Sequence, residues 1–519
     1  MSDTTKMSNV LDEVLEGFEP SPELLSMMTT SRAPVLLALD IGTSGVRAAL
    51  FDEDGSEFSS KNVRADSGST VLADSGAIDA DQLVEQVSDA IDTLFSNFYQ
   101  ANTTVELVAI SCFWHSLMGI DDTGTPTTPL FGWSDRRSAP QAQQLRREFD
   151  EAKFHSRTGS RFHPSYWPAK LLRLRDEEAH VFRATRKWIS FSDYLLLRLA
   201  GETSTSVSMA SGTGLMDQRT CEWDVELLGA IGIKSDQMPE IASSKVSNHK
   251  LSAAYAHRWP LLANARIFPA IGDGAANNIG AGCSTRGNIA LMIGTSGAMR
   301  VLYEGAPPAQ LPSEIWCYRA DRERVVIGGA LSDGGSLYKW MRETLLPVED
   351  VTWIEGELGE MEPDSHGLTV LPFWSGERST GWHADAQGTI VGLTPQTRSI
   401  EVLRAAMEAV TYRFALIALA LEPFAPDATI MASGHALQSS PAWVQILTDV
   451  LGRRMNVSER VEASTRGAAL LALEGAGKIQ SIEDFSVPVA AVFEPDLSRH
   501  ARYQVGLARH QDLYERVIR

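Results

Sequence analysis

Short apolar runs and longer amphipathic stretches take turns along this chain. Apolar runs at 35–39, 46–51, 106–111, 267–271, 289–293, 299–303, 325–328, 368–371 and 429–431 predict strands. Apolar positions recurring at helical spacing predict helices over 80–100, 139–150, 168–178, 192–199, 335–346, 400–421, 441–452 and 464–474. The alternation predicts an α/β protein. Residues 1–33 read as a leader. Leu11, Val14, Leu15 and Phe18 have helical spacing before Pro20 and Pro22, which fits a poorly ordered leader or a short docking helix.

One pattern occurs twice. Leu39-Asp40-Ile41-Gly42-Thr43-Ser44-Gly45 runs on to Leu50 and Phe51; about 250 residues later Leu291-Met292-Ile293-Gly294-Thr295-Ser296-Gly297 runs on to Leu302 and Tyr303. Each copy predicts a β-hairpin whose turn offers hydroxyls and free N–H groups, with glycines that let a ligand approach the backbone. Two such turns facing each other would grip a polyphosphate from both sides. The copies differ at Asp40 and Met292. A carboxylate beside a phosphate loop is unfavourable without a cation, so the first arm is expected to serve a metal and the second phosphate alone. The repeat predicts two similar domains, over 34–280 and 281–519, meeting at the Gly/Ala/Asn-rich stretch Gly274–Gly282, itself a candidate helix at the junction.

At 519 residues the chain is too long for one core. Lys plus Arg number 46 against 66 Asp plus Glu, a net −20, which argues against a nucleic-acid or anionic-membrane surface. Cys112, Cys221, Cys283 and Cys317 show no paired spacing and read as buried reduced thiols. With neither a signal peptide nor an apolar run long enough to span a bilayer, the expectation is a cytoplasmic protein.

Further candidates lie between and beyond the hairpins. Asp273, between Gly272 and Gly274 after an apolar run, is placed to take a proton from an alcohol, or to cap the following helix, or both. Phe113-Trp114-His115-Ser116 and Trp133-Ser134-Asp135-Arg136 offer aromatic walls and fixed hydrogen bonds suited to a sugar. Ala432-Ser433-Gly434-His435, followed by Gln438, suits a nucleotide, as does Lys339 after Gly334-Gly335. Gly475-Ala476-Gly477-Lys478 lacks the spacing of a P-loop, and there is no HExxH, GxSxG or complete GxGxxG after a strand.

Together these residues resemble the FGGY carbohydrate kinases, of the actin-like, ribonuclease H-like superfamily, from about 35 to 515. Gly388-Thr389-Ile390-Val391-Gly392-Leu393 with Glu401–Glu408, and Leu371-Pro372-Phe373-Trp374-Ser375-Gly376-Glu377-Arg378, are similar to the family's C-terminal segments. The resemblance implies two such domains around a central cleft, ATP and Mg²⁺, a small sugar partner and a homodimer. It makes Asp273 the general base and Asp40 the Mg²⁺-associated residue. It places Thr43, Ser44, Gly294, Thr295, Gly335, Lys339, Gly434 and Gln438 around the nucleotide, and His115, Ser116, Trp133, Asp135 and Tyr166, with Asp273, around the sugar. His115-Ser116-Leu117, Gly119-Ile120-Asp121, Thr128-Pro129-Leu130 and Trp133–Arg136 are most similar to the family's gluconate kinases. The implied reaction is phosphorylation of D-gluconate to 6-phosphogluconate, with a ketose or polyol kinase as the alternative and a non-catalytic or filament-forming actin-like ATPase as a remote one.

Overall fold

The computed structural model describes residues 33–518 except 44, 59–62, 67–76, 97, 99–103, 243–248 and 460–462. Ser44 and, apart from Ala33, the leader expected over 1–33 lie outside the described residues.

Two mixed sheets repeat one arrangement. The first is built from β1 (Leu36–Gly42), β2 (Gly45–Phe51), β3 (Val63–Asp66), β4 (Leu107–Cys112), β5 (Arg266–Ile267) and β6 (Ile271–Gly272). β1, β2 and β3 form an antiparallel ribbon; β4 runs parallel to β1, and β5 and β6 run parallel to β4. The second holds β7 (Asn288–Ile293), β8 (Gly297–Glu304), β9 (Trp316–Arg319), β10 (Arg324–Leu331), β11 (Thr429–Ser433), β12 (Met455–Ser458) and β13 (Val489–Phe493). Here β7, β8 and β10 form the antiparallel ribbon, with β9 beyond it, and β11 and β12 run parallel to β7. The repeat extends to register: Asp40 pairs with Ser111 as Met292 pairs with Ser433. β1 and β4 are buried almost throughout, which is why they read as unbroken apolar runs rather than alternating ones.

The strand expected over 267–271 is two short pieces. Phe268–Ala270 separate β5 from β6, and Pro269, with no N–H, cannot continue a ladder. Both halves of the doubled pattern do form hairpins. The first closes with Gly42 paired to Gly45 and the second with Ile293 paired to Gly297, one residue looser.

The Gly/Ala-rich junction is helical. α1 (Asp273–Gly280) crosses α2 (Ser464–Gly475) at backbone distance. A Cβ at Gly280 would lie 1.7 Å from the Ala463 carbonyl oxygen, and one at Gly467 1.8 Å from that of Ala276. Only glycines allow this approach. α2 comes late in the chain, yet Ala468, Ala469, Leu470 and Leu473 complete the core under the first sheet. The two crossing helices therefore tie the halves together. The second core packs around α3 (Ser399–Leu421), buried along most of its length. All four cysteines are buried free thiols. Among the described residues no helix is long and apolar enough to cross a membrane.

Candidate active site

The carboxyl ends of β1, β4 and β6 lie side by side, and each delivers a candidate group. Asp40 is on β1; the Phe113–Ser116 loop leaves β4; Asp273 follows β6 and opens α1. Carboxyl ends of adjacent parallel strands are the usual ligand edge of an α/β sheet. Asp40 accepts from Ser111 Oγ (2.8 Å) on one oxygen and from Arg47 Nη1 (2.9 Å) on the other. Burial pushes its carboxyl above the ordinary range against the pull of Arg47 and Ser111. Asp273 accepts from the Gly274 N–H at 2.8 Å. Burial pushes Asp273 up too; Arg300 opposes the shift and the Asp40 charge adds to it. A carboxylate so destabilised is a stronger proton acceptor than a solvated one.

The neighbouring wall is aromatic and drawn from both halves. Trp114 Nε1 donates to the Ser208 carbonyl at 2.9 Å, and the indole is cradled by glycines. Cβ atoms at Gly272, Gly212 and Gly274 would fall 1.9, 2.5 and 2.6 Å from its ring. Tyr318 packs edge-on to Trp114 at 5.0 Å and stacks on Trp316 at 4.2 Å, and its hydroxyl meets that of Tyr166 at 2.5 Å. His115 takes a left-handed φ of 70°. Burial, aided by Arg378, holds its imidazole well below the ordinary pKa, so it is neutral. Arg378 Nη2 donates to Nε2 at 3.5 Å, leaving Nδ1–H to donate to the Gly212 carbonyl.

The other expected sugar residues are placed as follows. Trp133 lies under the Arg378 guanidinium, 5.3 Å from ring centre to Cζ. Asp135 is held by Arg137 at 2.7 and 3.0 Å; burial works against these bonds, which nonetheless keep its carboxyl below the ordinary range. Ser116 is turned into the protein: its hydroxyl accepts from the Phe191 N–H at 3.1 Å and its carbonyl from Trp167 Nε1 at 2.9 Å. That is a structural role. Lys170 beside them donates to the Pro164 and Ser165 carbonyls, and burial brings its ammonium down to about 7.

On the facing half, three turns meet backbone to backbone. The Gly335 N–H donates to the Gly294 carbonyl (2.9 Å) and that of Ser336 to Thr295 (3.0 Å). A Cβ at Gly335 would fall 2.4 Å from the Gly294 oxygen, and one at Gly434, whose φ is 96°, 2.5 Å from that of Ile293. Gly294, Thr295, Gly335 and Gly434 are thus one small-residue surface at the carboxyl ends of β7 and β11. Thr43 occupies the turn of the other hairpin. Gln438 lies one helical turn on from Gly434, its N–H donating to the Gly434 carbonyl at 3.2 Å. Gln438 Nε2 donates to the Ser458 carbonyl at 3.4 Å, and Lys339 is exposed, 3.9 Å from Glu343.

Three residues at this site had no role assigned from sequence: Arg300, Arg378 and Tyr318. Arg300 lies beside Asp273, its Nε 3.0 Å from where a Gly274 Cβ would be. It crosses to the other half over Gly328, its partner on β10. A buried and a half-buried carboxylate at one strand edge, with oxygen-only donors, suit a hard cation that keeps most of its water, so Asp40 with Asp273 fits Mg²⁺. By contrast the trio Asp364, His366 and Glu408, at metal-like spacing, is paired with Arg404 and Arg509 and is a structural knot.

Comparison with known proteins agrees with this architecture. Residues 35–280 match the N-terminal domain of the FGGY family of carbohydrate kinases and residues 289–476 its C-terminal domain. The chain is 28% identical to the gluconokinase of Bacillus subtilis (strain 168) over 472 residues, 88% of this chain and 91% of that one. It is 24% identical to the xylulose kinase of the same organism, covering 92% and 96%. The gluconate kinase of Lactobacillus acidophilus superposes with a TM-score of 0.85 at 24% identity, covering 93% of this chain and 98% of that one.

Proposed function

The chain belongs to the FGGY family of carbohydrate kinases and is an ATP-dependent sugar kinase, and from that premise we propose that its acceptor is D-gluconate and its product 6-phosphogluconate. The observation that carries the reading is Asp273: a half-buried carboxylate with a raised pKa, at the end of a strand, beside Arg300 of the other half. The similarity to gluconokinase over most of both chains supports the choice of acceptor.

In this reading the acceptor hydroxyl sits against Asp273, which takes its proton as the oxygen attacks the γ-phosphorus. The turn at Gly294-Thr295 and the one containing Thr43 present N–H groups to the phosphates, stabilising charge as it spreads over the transferred group. Gly335 and Gly434 leave the space the nucleotide needs. Mg²⁺, held at Asp40, would neutralise phosphate charge when bound. His115, Tyr166, Trp133 and Asp135 orient the acceptor, and closing the halves excludes water, a competing acceptor.

The second reading is a ketose kinase, supported by the similarity to xylulose kinase. ADP release over D-gluconate, D-xylulose, D-ribulose and glycerol separates the two. The expected result is the highest kcat/KM on gluconate; a preference for xylulose overturns the assignment.

A further inference from the structure

We propose that Arg300 binds the carboxylate of the acceptor, which makes this a kinase for sugar acids. The inference rests on the gluconate reading above and names the residue that would enforce it.

Arg300 lies beyond the Gly294–Gly297 turn and outside the segments at 371–378, 388–393 and 401–408 on which the family resemblance rests. It also breaks the duplication. With Gly42-Thr43-Ser44-Gly45 set against Gly294-Thr295-Ser296-Gly297, the first copy has Ala48 where the second has Arg300. The arginine of the first hairpin, Arg47, is paired with Asp40 across the strands at 2.9 Å. The cross-strand neighbours of Arg300 are Ala290 and Gly328, which offer no charge. Arg300 is 7% exposed, and its Nε and Nη1 are buried with no hydrogen-bond partner.

Its side chain runs between two glycines, one from each half. A Cβ at Gly328 would lie 2.9 Å from its Cγ, and one at Gly274 would lie 3.0 Å from its Nε and 2.6 Å from the Trp114 ring. Its carbonyl accepts from Asn278 Nδ2 at 3.3 Å, which pins the backbone. The guanidinium therefore leaves the C-terminal half and ends at the Asp273–Gly274 corner, beside the indole of the acceptor wall. Arginine is the side chain best shaped to meet a carboxylate with two parallel N–H donors.

Negative charge is scarce around it. The guanidinium faces Asp273, Arg378 and Tyr318. Asp273 accepts from the Gly274 N–H and leaves the Arg300 donors unpaired. Asp40 is taken by Arg47 and Asp135 by Arg137, while His115 and His163 are neutral. Two buried guanidiniums thus share one carboxylate, and a buried cation without its own counter-ion is unfavourable until an anion arrives.

That anion has two possible sources, the acceptor's carboxylate or the phosphoryl group in transit. Asp40, on the metal side, feels Arg47 rather than Arg300, and Arg300 packs on the aromatic acceptor wall, which favours the carboxylate. D-Gluconamide separates the two, since it keeps the hydroxyls of gluconate and loses only the charge.

The experiment measures kcat and KM for D-gluconate and D-gluconamide in wild type, Arg300→Met and Arg300→Lys, on the plateau of the pH profile, with ATP binding as the check on folding. Any effect on the ionisation of Asp273 weighs on both acceptors alike and cancels in their ratio. Wild type is expected to prefer gluconate on the order of a hundredfold in kcat/KM. Arg300→Met is expected to bring that preference below about tenfold, chiefly through KM for gluconate. Arg300→Lys, which keeps the charge without the fork, is expected to fall between. Equal loss on both acceptors in either folded variant assigns Arg300 to the phosphoryl group or to Asp273 alone and overturns the proposal. If Arg300→Met does not fold, an unchanged preference in Arg300→Lys overturns it as well. Failure of the underlying reading looks different: wild type then turns over xylulose and neither gluconate nor its amide, and the proposal falls with it.

Discussion

The indole of Trp114 lies against Gly272 so closely that a Cβ there would stand 1.9 Å from Cε2. Gly272 is also the residue before Asp273, so the packing of one ring fixes the approach of the candidate base. Gly272→Ala must displace either the indole or the helix start. Overpacking of this kind costs about 1–3 kcal/mol. The expected outcome is a lower melting temperature together with a kcat loss larger than the stability loss explains, seen by pairing thermal unfolding with steady-state kinetics.

Asp273→Asn keeps the shape and removes the proton acceptor. The expected loss is in kcat, by about 10²–10⁴-fold, with ATP affinity by calorimetry little changed. Near-normal turnover would remove Asp273 from the role of base.

Removing Arg300 removes the charge that opposes the upward shift of Asp273. Arg300→Met is therefore expected to move the acid limb of the kcat/KM profile to higher pH. An unmoved limb would show that Arg300 does not act on the ionisation of Asp273.

The duplication supplies a matched pair of substitutions. Ser111 donates to Asp40, but in the other sheet Met292 replaces the acid and the buried Ser433 hydroxyl has no partner. Ser111→Ala strips a partner from a buried carboxylate and is expected to cost about 1–3 kcal/mol. Ser433→Ala is expected to be neutral or slightly stabilising. Chemical denaturation of the two nucleotide-free variants reads the difference.

Buried histidines set the acid side of stability. Burial pulls His155 down to about 4 and His510 to about 3, while each donates a ring N–H to a carbonyl, of Ile315 and Val370. Unfolded histidines take up protons from about 6.5 downward. The unfolded state thus binds more protons between 6.5 and these values, and acidification favours it. Stability from these groups is complete above 6.5 and is expected to fall by about 2 kcal/mol per histidine by pH 5. Melting temperature against pH checks this, and His155→Gln should flatten the curve.

Much of the fold was legible because local patterns and tertiary burial agree. α3 reads as 400–421 and forms at Ser399–Leu421, since nearly every turn of it is buried. Of the elements that were not read, β9 and β12 are short buried strands and others lie at the surface. β13 is mostly exposed, and the last helix, Leu497–Val517, buries only Tyr503, Gly506, Leu507 and His510, too narrow a stripe to stand out among its many charges. In the site, Asp40 and Asp273 could be singled out because an acid beside glycines at a strand end is conspicuous in text. Arg300 and Arg378 could not, since an arginine in a sequence is most often a solvated surface group.

The sequence by itself determined the duplicated strand–turn–strand units, the asymmetry of Asp40 and Met292, and the acid at the start of the junction helix, all of which are features of adjacent residues. Only the tertiary structure decided that α2 completes the first sheet's core, that Ser116 faces inward, and that Lys339 stays in solvent. It alone placed Arg300 against Asp273 and Arg378 against His115. The reason is physical: burial and charge pairing are properties of surfaces brought together by folding. Residues 378 and 115 become neighbours only when two separately wound sheets pack across a cleft.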